Sequence, residues 1–151
     1  LDHGAWATLL HVAPSQNIPV VPLSIAALPP EDHMAWGEAI ADAVSDSGKT
    51  VAFLSTGSIS HRLDLMNMAA PKPWPEGEEV EKEIVDVILA RRYLELASFD
   101  PVKWATVAPE GDLAPLFTMV GALGPKFKPR LASSEQVFGA VSLTVLEFEP
   151  G

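Results

Sequence analysis

Cysteine is absent from the 151-residue chain, so a disulfide framework, a thiolate metal site and a cysteine nucleophile are all excluded. Cations are scarce as well: 10 Lys and Arg stand against 20 Asp and Glu, for a formal net charge of −10. Nucleic acid and anionic membrane both require clustered Lys and Arg, so neither is expected as a partner. No apolar run approaches the ~20 residues that span a bilayer, and Leu1-Asp2-His3-Gly4 does not read as a secretory leader. The expected compartment is the cytoplasm. Missing too are His-x-x-x-His and His-Glu-x-x-His metal pairs, the Gly-x-Gly-x-x-Gly and Walker phosphate loops, and the Gly-x-Ser-x-Gly nucleophile elbow.

What remains is a chain that is 48% hydrophobic and 20% charged, the balance of a globular domain long enough to bury a core without cross-links. Residues 18–25 (IPVVPLSI) read as a buried strand, placed near a sheet edge because Pro19 and Pro22 lack an amide hydrogen. Pro29-Pro30-Glu31-Asp32 supplies a helix start with Asp32 as cap, Met34, Ile40, Ala41 and Val44 recur at helical spacing, and Gly48 is the stop. Residues 50–54 (TVAFL) are the best parallel-strand candidate. Strand, helix and strand in that order predict a right-handed crossover whose carboxyl edge gathers ligands.

Further on, residues 78–96 carry a helical pattern with acidic residues first and Arg91-Arg92 later, as a helix dipole favours. Residues 112–123 predict a second helix, capped by Asp112 and stopped by Gly124-Pro125, and residues 136–148 alternate as one strand or a hairpin broken at Gly139. The predicted fold is a single α/β domain over residues 1–151, a mixed central sheet flanked by helices. The start without Met, directly in a motif-like stretch, leads to the expectation that an N-terminal segment is missing.

Histidine serves both acid-base and metal roles, and the chain has four: His3, His11, His33 and His61. His11 and His33 read as surface or capping residues. His61 follows a buried strand and the small polar loop Ser55-Thr56-Gly57-Ser58-Ile59-Ser60, at the expected ligand edge. A serine nucleophile at Ser58 or Ser60, activated by His61, is the rival reading. Glu110, just before a predicted helix, by itself reads as a complement to the positive helix end.

Four blocks, in order, resemble the class III extradiol ring-cleavage dioxygenases. Residues 1–10 (LDHGAWATLL) are similar to that family's Asp-His-Gly segment, and residues 18–24 to the strand after it. Thr56-Gly57-Ser58-Ile59-Ser60-His61-Arg62-Leu63 resembles its Ser-Gly-x-x-Ser-His-Arg-Leu signature, with Thr56 for the first serine. Pro109-Glu110-Gly111-Asp112-Leu113 through Gly121-Ala122-Leu123-Gly124 resembles its Glu-Gly block and helix end. Ser133-Ser134-Glu135-Gln136-Val137 and the last strand resemble its final blocks, above all in the homoprotocatechuate-cleaving branch.

The resemblance implies the C-terminal part of a catalytic domain that holds Fe(II), or another divalent ion such as Mn(II), with two histidines and a glutamate. Glu110 matches the glutamate, and the two histidines belong to an N-terminal region that this sequence does not contain. It implies His61 as the acid-base residue near bound oxygen, His3 as its partner near a substrate hydroxyl, and supporting roles for Ser60 and Arg62. The implied partners are a small aromatic diol or aminophenol and O2, in an oligomer that could include a second subunit. A non-catalytic subunit or binding protein of the same fold is the alternative.

Overall fold

The computed structural model describes residues 3–15 and 17–150. Leu1 and Asp2, the first part of the Asp-His-Gly motif, lie outside the described residues. Helix α1 (His3–Val12) buries none of its residues. Helix α2 (Pro30–Ser47) starts where the proline pair predicts and ends on Gly48, at φ 62°. Its cap position is Pro29, and Asp32 sits inside the first turn, where it still complements the dipole.

Helix α3 (Pro75–Leu89) is the amphipathic centre of the domain, burying Val80, Ile84, Val85, Val87 and Ile88. The single helix expected over residues 78–96 breaks at Arg91, whose φ of 60° leaves the helical region, and a short 3-10 turn follows at Tyr93–Ser98. Helix α4 (Pro101–Val107) is capped by Asp100, whose carboxylate accepts from the amides of Val102 and Lys103. Helix α5 (Ala114–Leu123) is buried nearly all round. It crosses α2 backbone to backbone: a Cβ on Gly121 would lie 2.2 Å from the Met34 carbonyl oxygen, and one on Gly37 would lie 2.0 Å from that of Thr118.

Strands β1 (Phe127–Val137) and β2 (Val141–Pro150) form an antiparallel hairpin turned at Gly139, as the alternation there predicts, with β1 beginning well before residue 136. The fold class is mixed α/β. The sheet, however, has these two strands, among the described residues. Residues 18–25 and 50–54 are not strands, so the expected crossover does not form. Their apolar, β-branched sequence suits pairing, but among the described residues no backbone hydrogen bond involves residues 18–25 or 50–57. Val20, Val21, Leu23, Val51 and Leu54 stay exposed along them. Among the described residues, no helix is long and apolar enough to cross a membrane.

Candidate active site

Two loops converge on the core. The first, Ser55 to His61, leaves the exposed extended segment and becomes fully buried at Ile59 and Ser60. The second links α4 to α5. They run antiparallel, tied by His61 N–H donating to the Val107 carbonyl (2.8 Å) and Glu110 N–H donating to the Ser58 carbonyl (2.9 Å). The Glu110 side chain adds a third tie, its Oε2 accepting from Ser58 N–H at 3.0 Å. His61 and Glu110, 49 residues apart in sequence, thus stand on neighbouring segments.

An unusual backbone holds Glu110 there. Ala108 (φ 45°) ends α4 in the left-handed region, and Gly111, Asp112 and Leu113 (φ 55°, 50° and 60°) follow as a left-handed turn. Each non-glycine residue in such a conformation costs about 1–3 kcal/mol, and clusters of them are typical of functional sites. Gly111 is favoured by its left-handed φ rather than by space, since a Cβ there would meet the movable end of the Ile25 side chain, Cδ1 at 2.7 Å. Asp112 is not the expected helix cap: Leu113 occupies that position, and the Asp112 carboxylate accepts from Trp104 Nε1 at 3.0 Å. Its left-handed backbone turns the side chain back toward α4.

His61 is half-buried and forms an isolated bridge with Val141 of β2. Ser60 beneath it is fully buried, and its hydroxyl donates to Glu81 rather than to a histidine. That geometry denies Ser60 the access a nucleophile needs. Arg62 donates through Nε and Nη2 to both oxygens of Asp64 (2.8 and 2.7 Å) and through Nη1 to the Thr106 carbonyl (2.9 Å). Those guanidinium hydrogen bonds hold the Asp64 carboxyl below its ordinary pKa.

The other histidines are placed differently. His3 is exposed on α1, edge-on to Trp6 with ring centroids 5.2 Å apart, and no described contact joins it to His61 or Glu110. His11 lies exposed in the last turn of α1, on the surface as expected. His33 is neither a surface nor a capping residue. It is 2% exposed, with Nε2 3.0 Å from the Ala26 carbonyl and Nδ1 3.2 Å from Thr118 Oγ1. One turn before Gly37, it faces the α2–α5 seam and ties the extended segment to it.

Glu81 is the residue that the sequence reading passed over. Only 3% exposed, it accepts from Ser60, Ser134 and Thr144 hydroxyls at 3.1, 3.1 and 2.5 Å. Its signal was its position, within the apolar stripe of Ile84, Val85 and Ile88. Alongside, an open groove of about 520 Å³ runs between residues 51–57, α5 and β2, lined by Phe53, Leu113, Met119 and Leu146. Its wall is the unpaired extended segment, so it is uncovered surface rather than an enclosed ligand pocket.

Known proteins resemble this chain in sequence and in fold. The chain matches, over residues 1–145, the family described as the catalytic LigB subunit of aromatic ring-opening dioxygenase, and it belongs to that family. It is 28% identical over 137 residues to a 4,5-DOPA dioxygenase extradiol of Mirabilis jalapa, covering 87% of this chain and 49% of that protein. A Portulaca grandiflora protein of the same description is also 28% identical, over 135 residues, with 86% of this chain and 49% of that one covered. The chain therefore spans about half the length of these relatives. The fold is shared with the crystal structure of an uncharacterized Escherichia coli K12 protein, at a TM-score of 0.76 and 22% identity, over 97% of this chain and 62% of the other.

Proposed function

We propose that residues 1–151 are the C-terminal part of a non-haem Fe(II)-dependent extradiol dioxygenase of the cytoplasm. It inserts both atoms of O2 into a catechol-type or aminophenol ring and releases a ring-opened semialdehyde acid. The observation that carries this reading is the pairing of the His61 and Glu110 loops, locked by three hydrogen bonds and a strained left-handed turn. Family membership and the extradiol relatives support the reaction class.

Glu110 is the ligand this chain offers to the metal. It is exposed, and among the described residues only its Oε2 is engaged, by one backbone amide. Among the described residues no three His, Cys, Asp or Glu gather into a metal centre, and the two histidine ligands are taken to come from elsewhere in the protein or from a partner. When bound, Fe(II), or Mn(II) in its place, supplies a Lewis acid with open positions for substrate and O2. His61 holds and moves a proton beside the O2 that is to be inserted, a role suited to imidazole as a general acid-base group. His3 is assigned as its partner at the substrate hydroxyl, which requires α1 to bring it nearer than its exposed position beside Trp6.

The test is iron quantification alongside oxygen uptake with catechols, for the parent protein, His61→Ala and Glu110→Ala. His61→Ala is expected to keep iron and lose about 10²–10⁴-fold in turnover, the usual contribution of a general acid-base residue. Glu110→Ala is expected to lose iron. Unchanged iron in that variant refutes the ligand assignment, and a parent protein that binds no iron and consumes no oxygen is the non-catalytic homologue instead.

A further inference from the structure

We propose that Glu81 is the positioning residue for His61, a buried carboxylate that fixes Ser60 and, through it, the backbone carrying the imidazole. The proposal rests on the ring-cleavage reading of His61 for its catalytic consequence, though not for its geometry. All three polar groups of Ser60 are engaged. Its N–H donates to Ser142 Oγ (2.8 Å), its carbonyl accepts from Ser142 N–H (2.9 Å), and its hydroxyl donates to Glu81 Oε2 (3.1 Å). The other carboxylate oxygen, Oε1, takes the hydroxyls of Ser134 on β1 and Thr144 on β2. Glu81 on α3 is therefore the joint at which helix, both strands and the His61 loop meet.

Stability alone does not account for it. Burying a carboxylate without a cation costs desolvation energy that an aliphatic side chain among Ile84 and Val85 would avoid. No cation pairs with Glu81 among the described residues. What the carboxylate provides is direction, because three hydroxyls can all donate to it only with the loop in one place. His61 follows immediately, its own N–H held by Val107 and the next N–H, of Arg62, held by the Ala140 carbonyl at 3.0 Å. Releasing the Ser60 hydroxyl frees the side-chain tether that this stretch has, among the described residues, to α3.

The experiment compares Glu81→Gln, Ser60→Ala and their double variant in the full-length enzyme. Glutamine keeps the size but offers one acceptor oxygen where the carboxylate offers two, so a hydroxyl that faces the amide NH2 must turn from donating to accepting and its direction is no longer fixed as in the parent. Each single variant is expected to lower kcat about tenfold, as sub-ångström misplacement of a reacting group does. KM and iron content should stay at parent values, and the double variant should be no slower than the singles. Ile84→Val, a neighbouring core change, supplies the control: it lowers Tm while kcat holds. Parent-like kcat in Glu81→Gln, or additive losses in the double variant, overturns the proposal.

A parent protein without ring-cleavage activity would refute the proposed reaction instead. In that event the positioning is read from the ring signals of His61 in ¹⁵N-histidine-labelled protein. Glu81→Gln and Ser60→Ala should shift or broaden them alike while the His33 signals stay put. Unchanged His61 signals overturn it.

Discussion

Gly121→Ala probes the seam on which the candidate site is mounted. A Cβ at Gly121 would lie 2.2 Å from the Met34 carbonyl oxygen and 2.8 Å from Met34 Cα. Non-bonded carbon atoms rest at roughly 3.5 Å or more, so α2 and α5 must part by about 1 Å. Neither contact is the end of a flexible side chain that could rotate away. Overpacking costs about 1–3 kcal/mol, and against rigid backbone the upper part of that range, about 2–3 kcal/mol, applies, while alanine recovers about 0.8–1 kcal/mol of helix propensity over glycine. The steric effect wins, for a net loss of about 1–2 kcal/mol, or roughly 2–8 °C in Tm for a domain of this size.

Urea unfolding followed by circular dichroism reads the loss as a lower midpoint at unchanged slope. Gly48 is the control, because a Cβ there meets nothing within 4 Å and its only demand is a left-handed φ of 62°. Gly48→Asn, which tolerates that conformation, should therefore be nearly neutral. Gly37→Ala sits on the same seam, so its loss combined with Gly121→Ala should fall short of the sum. Gly121→Ala within about 0.5 kcal/mol of the parent would refute backbone contact between the helices.

His33→Leu leaves Thr118 and the Ala26 carbonyl without their buried partner and should cost about 1–3 kcal/mol, read by the same urea titration. The Arg62–Asp64 pair has a pH signature. Because Asp64 titrates lower when folded than unfolded, its contribution is present above the ordinary carboxylate range and fades as pH falls through the lowered value. The difference in midpoint between parent and Asp64→Asn should accordingly shrink on acidification. The iron and turnover outcomes for Glu110→Ala and His61→Ala complete the set.

Helices with caps and period were legible: Pro29-Pro30 and Gly48 bracket α2 closely, and Gly139 marks the hairpin turn. What failed to be legible depended on partners distant in sequence. Residues 50–54 have strand composition, but a strand exists only when another backbone pairs with it. His33 was read from its helix-start position, whereas its burial follows from α5 crossing at Gly37 and Gly121, 84 residues apart. Likewise, His61 and Glu110 were marked as separate motifs, and only folding shows their loops hydrogen-bonded side by side. Arg91 and Asp112 adopt positive φ without being glycine, so nothing in their identity announced the break in α3 or the left-handed turn.

The two unpaired extended segments are unequal as liabilities. Residues 18–25 carry Pro19 and Pro22, which cannot donate to a neighbouring strand and so act as gatekeepers against stacking. Residues 50–54, Thr-Val-Ala-Phe-Leu, contain neither proline nor charge, and Val51 and Leu54 face solvent. Such a window is a template for cross-β growth. The stretch that leads the chain into its histidine loop is thus also the one with the strongest need of a partner strand to cover it.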